Sequence, residues 1–267
     1  MPWLIVNQTR LAAVSAVPTP LLAAEVQRGS WPGHPGASCV SVTLSGLMRI
    51  LVIDVGGTHV KLLATGAKEP IRIPSGPDLT PRRLVTAVRK ATAGWSYDAV
   101  SIGFPGPVVH NKPVSEPHNL GPGWVGFSFR KAFGRPVRVV NDAVMQAIGS
   151  YRRGRMLFLG LGTGLGSALI IDGVLEPMEL AHLPYKKGRT YEDYVGRKGL
   201  KRLGKKRWRR AVADVVTRLA AAFEANDVVI GGGNAKMLKE LPAGVRIGKN
   251  ANAFVGGFRL WSPGAAR

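Results

Sequence analysis

Asp54-Val55-Gly56-Gly57-Thr58 ends the apolar run that starts at Ile50, and a second β-rich run, His59–Leu63, follows at once. That order describes a hairpin with a glycine tip rather than a strand feeding a helix. Gly56 and Gly57 allow bare backbone N–H groups to approach an anion, and the Thr58 hydroxyl adds a donor. Asp54, at the end of the strand, could hold a hydrated Mg2+ beside that anion. An ordinary hairpin remains the other reading of this stretch alone. Far along the chain, Gly162-Thr163-Gly164 repeats the arrangement between two apolar runs, Met156–Leu161 and Ser167–Ile171. The surrounding glycines do not make a dinucleotide fingerprint. Counting from Gly160 or from Gly162, the third glycine would fall on Leu165 or Ser167, and a strand follows where a helix is required. Gly199–Lys205 fails as a P-loop, because Lys206 occupies the place of the Mg2+-binding hydroxyl and no strand precedes it.

The elements that must position these tips can be read in order. A strand is expected at Pro70–Pro74. A helix follows Thr80, with Pro81 at its first position and Leu84, Val85, Val88 and Ala91 on one stripe. Asp98–Phe104 is a short apolar strand, and Val137–Val140 is another that delivers Asn141-Asp142 at its carboxyl end. A helix is expected from about Ala143 to Tyr151. Trp208, Val212, Val215, Val216, Leu219 and Phe223 keep helical spacing and predict a helix near Trp208–Glu224. Val228–Ile230 is a strand closing on Gly231-Gly232-Gly233, with a helix around Met237 and Leu238 and a last apolar segment around Phe254 and Phe258 after it. Two similar hairpins, each heading a set of α/β elements, suggest two related α/β lobes facing a cleft.

At 267 residues the chain is long enough for one large or two small domains. The single cysteine, Cys39, excludes an intrachain disulfide and a cysteine-cluster zinc site, and fits a reducing cytoplasm. No apolar run approaches the ~20 residues that span a bilayer, so no membrane partner is expected. The formal charge is +21, and twelve of the 37 Lys and Arg lie between Lys186 and Arg210, against Glu192 and Asp193. Such a surface attracts polyanions or serves solubility alone. Residues 1–47 carry few charges, several prolines and no sustained periodicity, so they read as a poorly ordered extension, with Met48 as the preferred true start.

Taken together, Asp54-Val55-Gly56-Gly57-Thr58-His59-Val60-Lys61, Gly103-Phe104-Pro105-Gly106, Asn119 with Trp124, and Asn141-Asp142-Ala143 resemble the ROK family of sugar kinases. Leu161–Gly166, Glu179-Leu180-Ala181-His182, Glu192-Asp193 and Gly231-Gly232-Gly233 continue the likeness in family order across 48–260. The chain looks most like the polyphosphate glucokinase branch. The resemblance implies an α/β fold of two ribonuclease-H-like lobes of the hexokinase–actin superfamily flanking a cleft, here 48–139 and 140–267. It implies Asp142 as the base that accepts the sugar hydroxyl proton, the other role of an Asp at this position being a helix N-cap before Ala143. Asn119, Asn141, Glu179, His182 and Glu192 resemble the family's sugar contacts. Gly56, Gly57, Thr58, Gly162, Thr163 and Gly164 would surround the donor phosphates. Lys61 would add a positive charge there or simply face solvent. Gly231, Gly232 and Gly233 resemble the adenosine-side loop.

The implied reaction is phosphoryl transfer from inorganic polyphosphate, ATP or both to the 6-hydroxyl of glucose, with Mg2+ as cofactor and no zinc. An ATP-only kinase for another hexose is one alternative. A sugar-responsive DNA-binding regulator is a second, although 1–47 is too short and too proline-broken for a winged helix–turn–helix, and no specific nucleic acid is expected. Dimers are common in the family, so a homodimer is one assembly the resemblance allows. The sequence departs from the family pattern at Ala181, where a glycine is usual, and in lacking the three-cysteine zinc motif of many members.

Overall fold

The computed structural model describes residues 25–29, 39–43, 48–249 and 251–262. In chain order the elements are β1 (Glu25–Gly29), β2 (Cys39–Thr43), β3 (Ile50–Val55), β4 (His59–Ala64), β5 (Ile71–Pro74), α1 (Pro81–Ala91) and β6 (Ala99–Phe104). Next come β7 (Val108–Val109), β8 (Lys112–Pro113), α2 (Phe129–Phe133), β9 (Val137–Asn141), α3 (Asp142–Ser150), β10 (Arg155–Leu161), β11 (Leu165–Ile171) and β12 (Val174–Met178). The remainder are β13 (Pro184–Lys186), β14 (Arg189–Thr190), α4 (Tyr191–Val195), α5 (Arg197–Ala222), β15 (Asp227–Gly231), β16 (Val245–Ile247) and α6 (Asn252–Arg259). Within the stretch read as a poorly ordered extension, β1 pairs antiparallel with β2. The rest of that expectation lies outside the described residues.

Two five-stranded mixed sheets carry the fold. Their orders are β5-β4-β3-β6-β9 and β12-β11-β10-β15-β16. In each, the first three strands form an antiparallel meander and the last two run parallel to its first strand. The two sheets therefore share one topology, with β3, β4, β5, β6 and β9 matched by β10, β11, β12, β15 and β16.

The apolar run that begins at Ile50 is continuous because β3 is covered on both faces. Alternate residues part company: Leu51, Ile53 and Val55 pack with Leu84, Val85 and Val88 of α1, while Ile50 and Val52 pack with Ala253 and Phe254 of α6. In β10 the same division sends Leu157, Leu159 and Leu161 toward Trp208, Val212 and Val216 of α5, and Met156 and Phe158 toward Ala143, Val144 and Ala147 of α3. α1 starts as its sequence requires, with the Thr80 hydroxyl accepting from Arg83 N at 3.3 Å and Pro81 in the first turn.

Between the sheets, α3 and α6 pack face to face. α3 follows the first sheet and touches both, β6 of the first and β10 and β11 of the second, while α6 follows the second sheet and lies on β3 and β6 of the first. Their contact runs through Gly149 and Gly256: a methyl at either position would collide with the backbone of the opposite helix. Ser101, buried in the middle of β6, donates to Gly257 O at 2.6 Å and accepts from Trp261 Nε1 at 2.8 Å.

Two expectations are corrected. The helix expected from Trp208 begins at Arg197, with a break at Gly204 (φ 71°, ψ 161°), because the basic residues before Trp208 are good helix formers that need no buried face. The helix around Met237 is a single 3-10 turn, Ala235–Met237.

Candidate active site

The first hairpin tip is closed by Gly56 N–H donating to His59 O at 3.1 Å. Just before it, Asp54 faces Lys61 across the β3–β4 ladder, and Lys61 Nζ donates to Asp54 Oδ2 at 3.0 Å. Asp54 is 8% exposed, so the pair is shielded on the Asp54 side while Lys61 keeps a solvent-facing flank. Lys61 thus reaches back over the strand end to Asp54. Gly57 lies against Asn119, whose Cβ would be 3.5 Å from a methyl built there. Glu116 holds the segment after Asn119 by accepting from Trp124 N and Val125 N, each at 3.1 Å. Trp124 is fully buried against Phe104 and Phe129, with Nε1 donating to Gly121 O at 2.6 Å.

Asp142 stands where β9 passes into α3. The cap of that helix is Asn141, not Asp142: Asn141 Oδ1 accepts from Ala143 N at 2.9 Å and Val144 N at 3.3 Å. Asn141 Nδ2 donates to Gly106 O at 3.0 Å, which ties the Pro105-Gly106 turn to the helix start. Much of the hydrogen-bonding capacity of Asn141 is thus spent inside the protein. Asp142 is the first helical residue, and its Oδ1 accepts from Ala143 N at 2.8 Å. Its proton affinity is pushed up to about 7, first by desolvation and then by the negative charge of Asp54, against the opposing pull of backbone N–H groups and the Lys61 ammonium. A carboxyl group in that balance exchanges a proton near neutral pH, which suits a general base.

Ala143, the next residue, touches the second hairpin, its Cβ 2.6 Å from a methyl built at Gly166 and 3.8 Å from one built at Gly160. Asp142 therefore senses Asp54 and Lys61 of one hairpin while its neighbour rests on the other. The second tip is held from three sides. Gly162 N–H donates to Gly164 O at 3.1 Å across the tip. Glu192 Oε2 accepts from Leu165 N at 3.1 Å and fills the space where a Gly164 side chain would go. Arg197 N donates to Thr163 O at 3.1 Å, and Asn234 Nδ2 donates to Gly162 O at 2.8 Å.

Glu179 and His182 lie 3.6 Å apart, both exposed, on a turn joined to Glu192 through Glu192 N donating to Ala181 O at 3.0 Å. Gly231 packs against the Phe158 ring, and Gly232 (φ 82°) against the Leu161 backbone, where a side chain has no room. Asn234 N, donating to Leu161 O at 2.9 Å, completes the junction of this loop with the second tip. The structure thus gathers Asp54, Lys61, Asp142 and both tips, with Glu192 and the 231–233 loop at the second tip and Asn119 at the first. Asn234 and Arg197 went unnoticed in the sequence. An amide directly after three glycines was the available signal for the former, and none marked the latter.

A match to the ROK family model covers residues 50–176. A glucokinase of Pyrobaculum calidifontis is 33% identical over 141 residues, 48% of this chain and 45% of the relative. A polyphosphate glucokinase of Mycobacterium tuberculosis is 28% identical over 151 residues, 49% of this chain and 57% of the relative. The chain therefore spans about half the length of the curated relatives it matches. Among solved structures, the inorganic polyphosphate/ATP-glucomannokinase of Arthrobacter sp. strain KM superposes with a TM-score of 0.68 at 25% identity, over 79% of this chain and 97% of that one.

Proposed function

Residues 50–176 match the ROK family model, and from that match we propose that the chain is a ROK-type hexose kinase, transferring a phosphoryl group from inorganic polyphosphate, and also from ATP, to the 6-hydroxyl of glucose. The observation that carries this reading is Asp142, a carboxylate with proton affinity near 7 set between the Asp54–Lys61 pair and the second hairpin. In this reading the two sheets with their helices are ribonuclease-H-like lobes, and the tips face one cleft between them.

The sugar lies with its 6-hydroxyl at Asp142, which accepts the hydroxyl proton as the oxygen attacks the terminal phosphorus. The bond from that phosphorus to its bridging oxygen breaks, and the donor leaves one phosphoryl shorter. The N–H groups of Gly57 and Gly164, the hydroxyls of Thr58 and Thr163, and the Lys61 ammonium receive the charge on the phosphate oxygens, while the N–H groups of Gly56 and Gly162 close their own tips. Asn119, Glu179, His182 and Glu192 read the other sugar hydroxyls, and Asn141 chiefly fixes the start of α3. Polar partners that the bound sugar covers reject analogues lacking a hydroxyl, since a polar group left unpaired under the ligand is costly.

Among the described residues no group of three His, Cys, Asp or Glu forms a metal cage. Mg2+ does not require such a cage, being commonly held by one or two carboxylates, substrate phosphates and water. Asp54 would hold it, the negative field that raises Asp142 being a place where a cation is welcome. Bound there, Mg2+ would neutralise charge on the transferring phosphates.

A matrix of polyphosphate, ATP and GTP against glucose, mannose and N-acetylglucosamine tests the assignment, with Asp142→Asn as control. Glucose phosphorylation from polyphosphate, lost in the variant, is expected. Turnover of ATP alone would leave a kinase with a different donor. Near-normal turnover by Asp142→Asn would discredit the base, and sequence-selective DNA binding without turnover would favour a regulator.

A further inference from the structure

The basic segment starts at the second tip. Arg197 is the first residue of α5, and its N–H is bonded to Thr163 O at 3.1 Å. From that anchor the helix leads away from the tip in two arms, broken at Gly204. The near arm exposes Arg197, Lys198 and Lys201, and the far arm exposes Lys205, Lys206, Arg207 and Arg210. None of these seven cations has a carboxylate at ion-pairing distance among the described residues. Their neighbours are used otherwise: Arg202 lies over the Tyr194 ring and donates to Asp193 O, and Arg209 donates to Met237 O. The far arm is rotationally fixed by Trp208, which is fully buried and bonded through Nε1 to Val195 O at 2.8 Å. At a hundred degrees per residue, Lys206 and Arg210 fall on the face opposite Trp208, with Lys205 and Arg207 on its two flanks.

We infer that α5 is a track for the distal phosphates of the donor. The near arm meets units next to the one transferred, and the far arm is a remote subsite that only a long chain reaches. This rests on the polyphosphate reading of the donor and deepens it. An unbroken helix from Arg197 to Arg210 would rise ~20 Å, and the break at Gly204 shortens that span, so a donor seated at the second tip meets the near arm first and the far arm only as its chain lengthens. A flexible polyanion with no base to read fits a row of exposed cations without carboxylate partners among the described residues, of which Arg207 also donates to Leu203 O, and which offers no aromatic platform between them. A single-stranded nucleic acid would need such stacking surfaces as well as charge. The track makes affinity a function of chain length while leaving chemistry at the tip untouched.

The test is the full chain carrying Lys205→Gln, Lys206→Gln, Arg207→Gln and Arg210→Gln together. Steady-state constants are measured with long polyphosphate, tripolyphosphate and ATP across a salt series. For long polyphosphate the KM is expected to rise about tenfold, with kcat unchanged, from the loss of several exposed charge contacts. The slope of log KM against log salt should flatten by about one or more. The constants for tripolyphosphate and ATP should stay as in the parent, which also shows that the variant is folded. Equal effects on long and short donors, or none on the long one, overturn the track while leaving the donor reading intact. A parent enzyme that consumes ATP but not polyphosphate overturns both. If single-stranded DNA binding falls in the variant while the polyphosphate KM does not, the surface is a nucleic-acid patch and the track is wrong.

Discussion

Replacing Asp142 by Asn should make the protein more stable while abolishing its activity. In the folded chain the Asp142 proton affinity rises from 3.8 to about 7. A carboxyl group raised on folding favours the native state fully below its unfolded value and loses that contribution as pH climbs through the folded one. Three units of displacement correspond to about 4 kcal/mol at 1.36 kcal/mol per unit. Above pH 7 the native protein therefore carries an ionised carboxylate, desolvated and beside Asp54, at a cost of up to about 4 kcal/mol. Asparagine keeps the shape and bears no charge. The gain in stability should be absent near pH 3.5, grow between pH 4 and 7, and level off above, where it would raise Tm by up to about 8 to 16 °C for a domain of this size. Differential scanning calorimetry of both proteins across that range reads the effect, while glucose phosphorylation should fall by about 10²- to 10⁴-fold. A Tm difference that does not change with pH would refute the balance of burial and like charge on which the site is built.

Two further outcomes follow from neighbouring contacts. The acidic limb of the kcat/KM profile reports the free enzyme's base, so Asp54→Asn, which removes the like charge along with the proposed Mg2+ ligand, should move that limb down in the activity that remains. Lys61→Met, which removes the opposing cation, should move it up, and a limb that ignores both would detach Asp142 from the pair. Gly256→Ala drives a methyl into the backbone of α3, and overpacking of this kind should cost about 1 to 3 kcal/mol in thermal unfolding; an unchanged Tm would show that the helices are not so close.

The two hairpins were readable because a glycine tip between apolar runs leaves the chain little choice, and the Asp54–Lys61 pairing follows from that register once the tip is fixed. The apolar strands showed little alternation for the same reason that they were easy to find: β3 and β10 are covered on both faces. The neighbourhood of Asp142 was legible only by resemblance. At the β9–α3 junction, Asn and Asp stand side by side and both suit a cap, so only the bonds of Asn141 to Ala143 and Val144 decide between them. The close pairing of α3 and α6 left no periodic trace, since Gly149 and Gly256 matter through the partner helix rather than through their own. The early start of α5 was hidden because its basic turns bury no stripe.

The return of α6 to the first sheet has a consequence for biosynthesis. Ile50 and Val52 find Ala253 and Phe254 as neighbours, and the hydroxyl of Ser101 finds Gly257, only once α6 has been synthesised. Until α6 arrives, that face of the first sheet has Met145 of α3 against it and lacks the apolar cover of Ala253 and Phe254. A fragment ending after β9 should then aggregate or be captured by chaperones rather than persist as a half-protein, and adding the missing C-terminal segment in trans should rescue it.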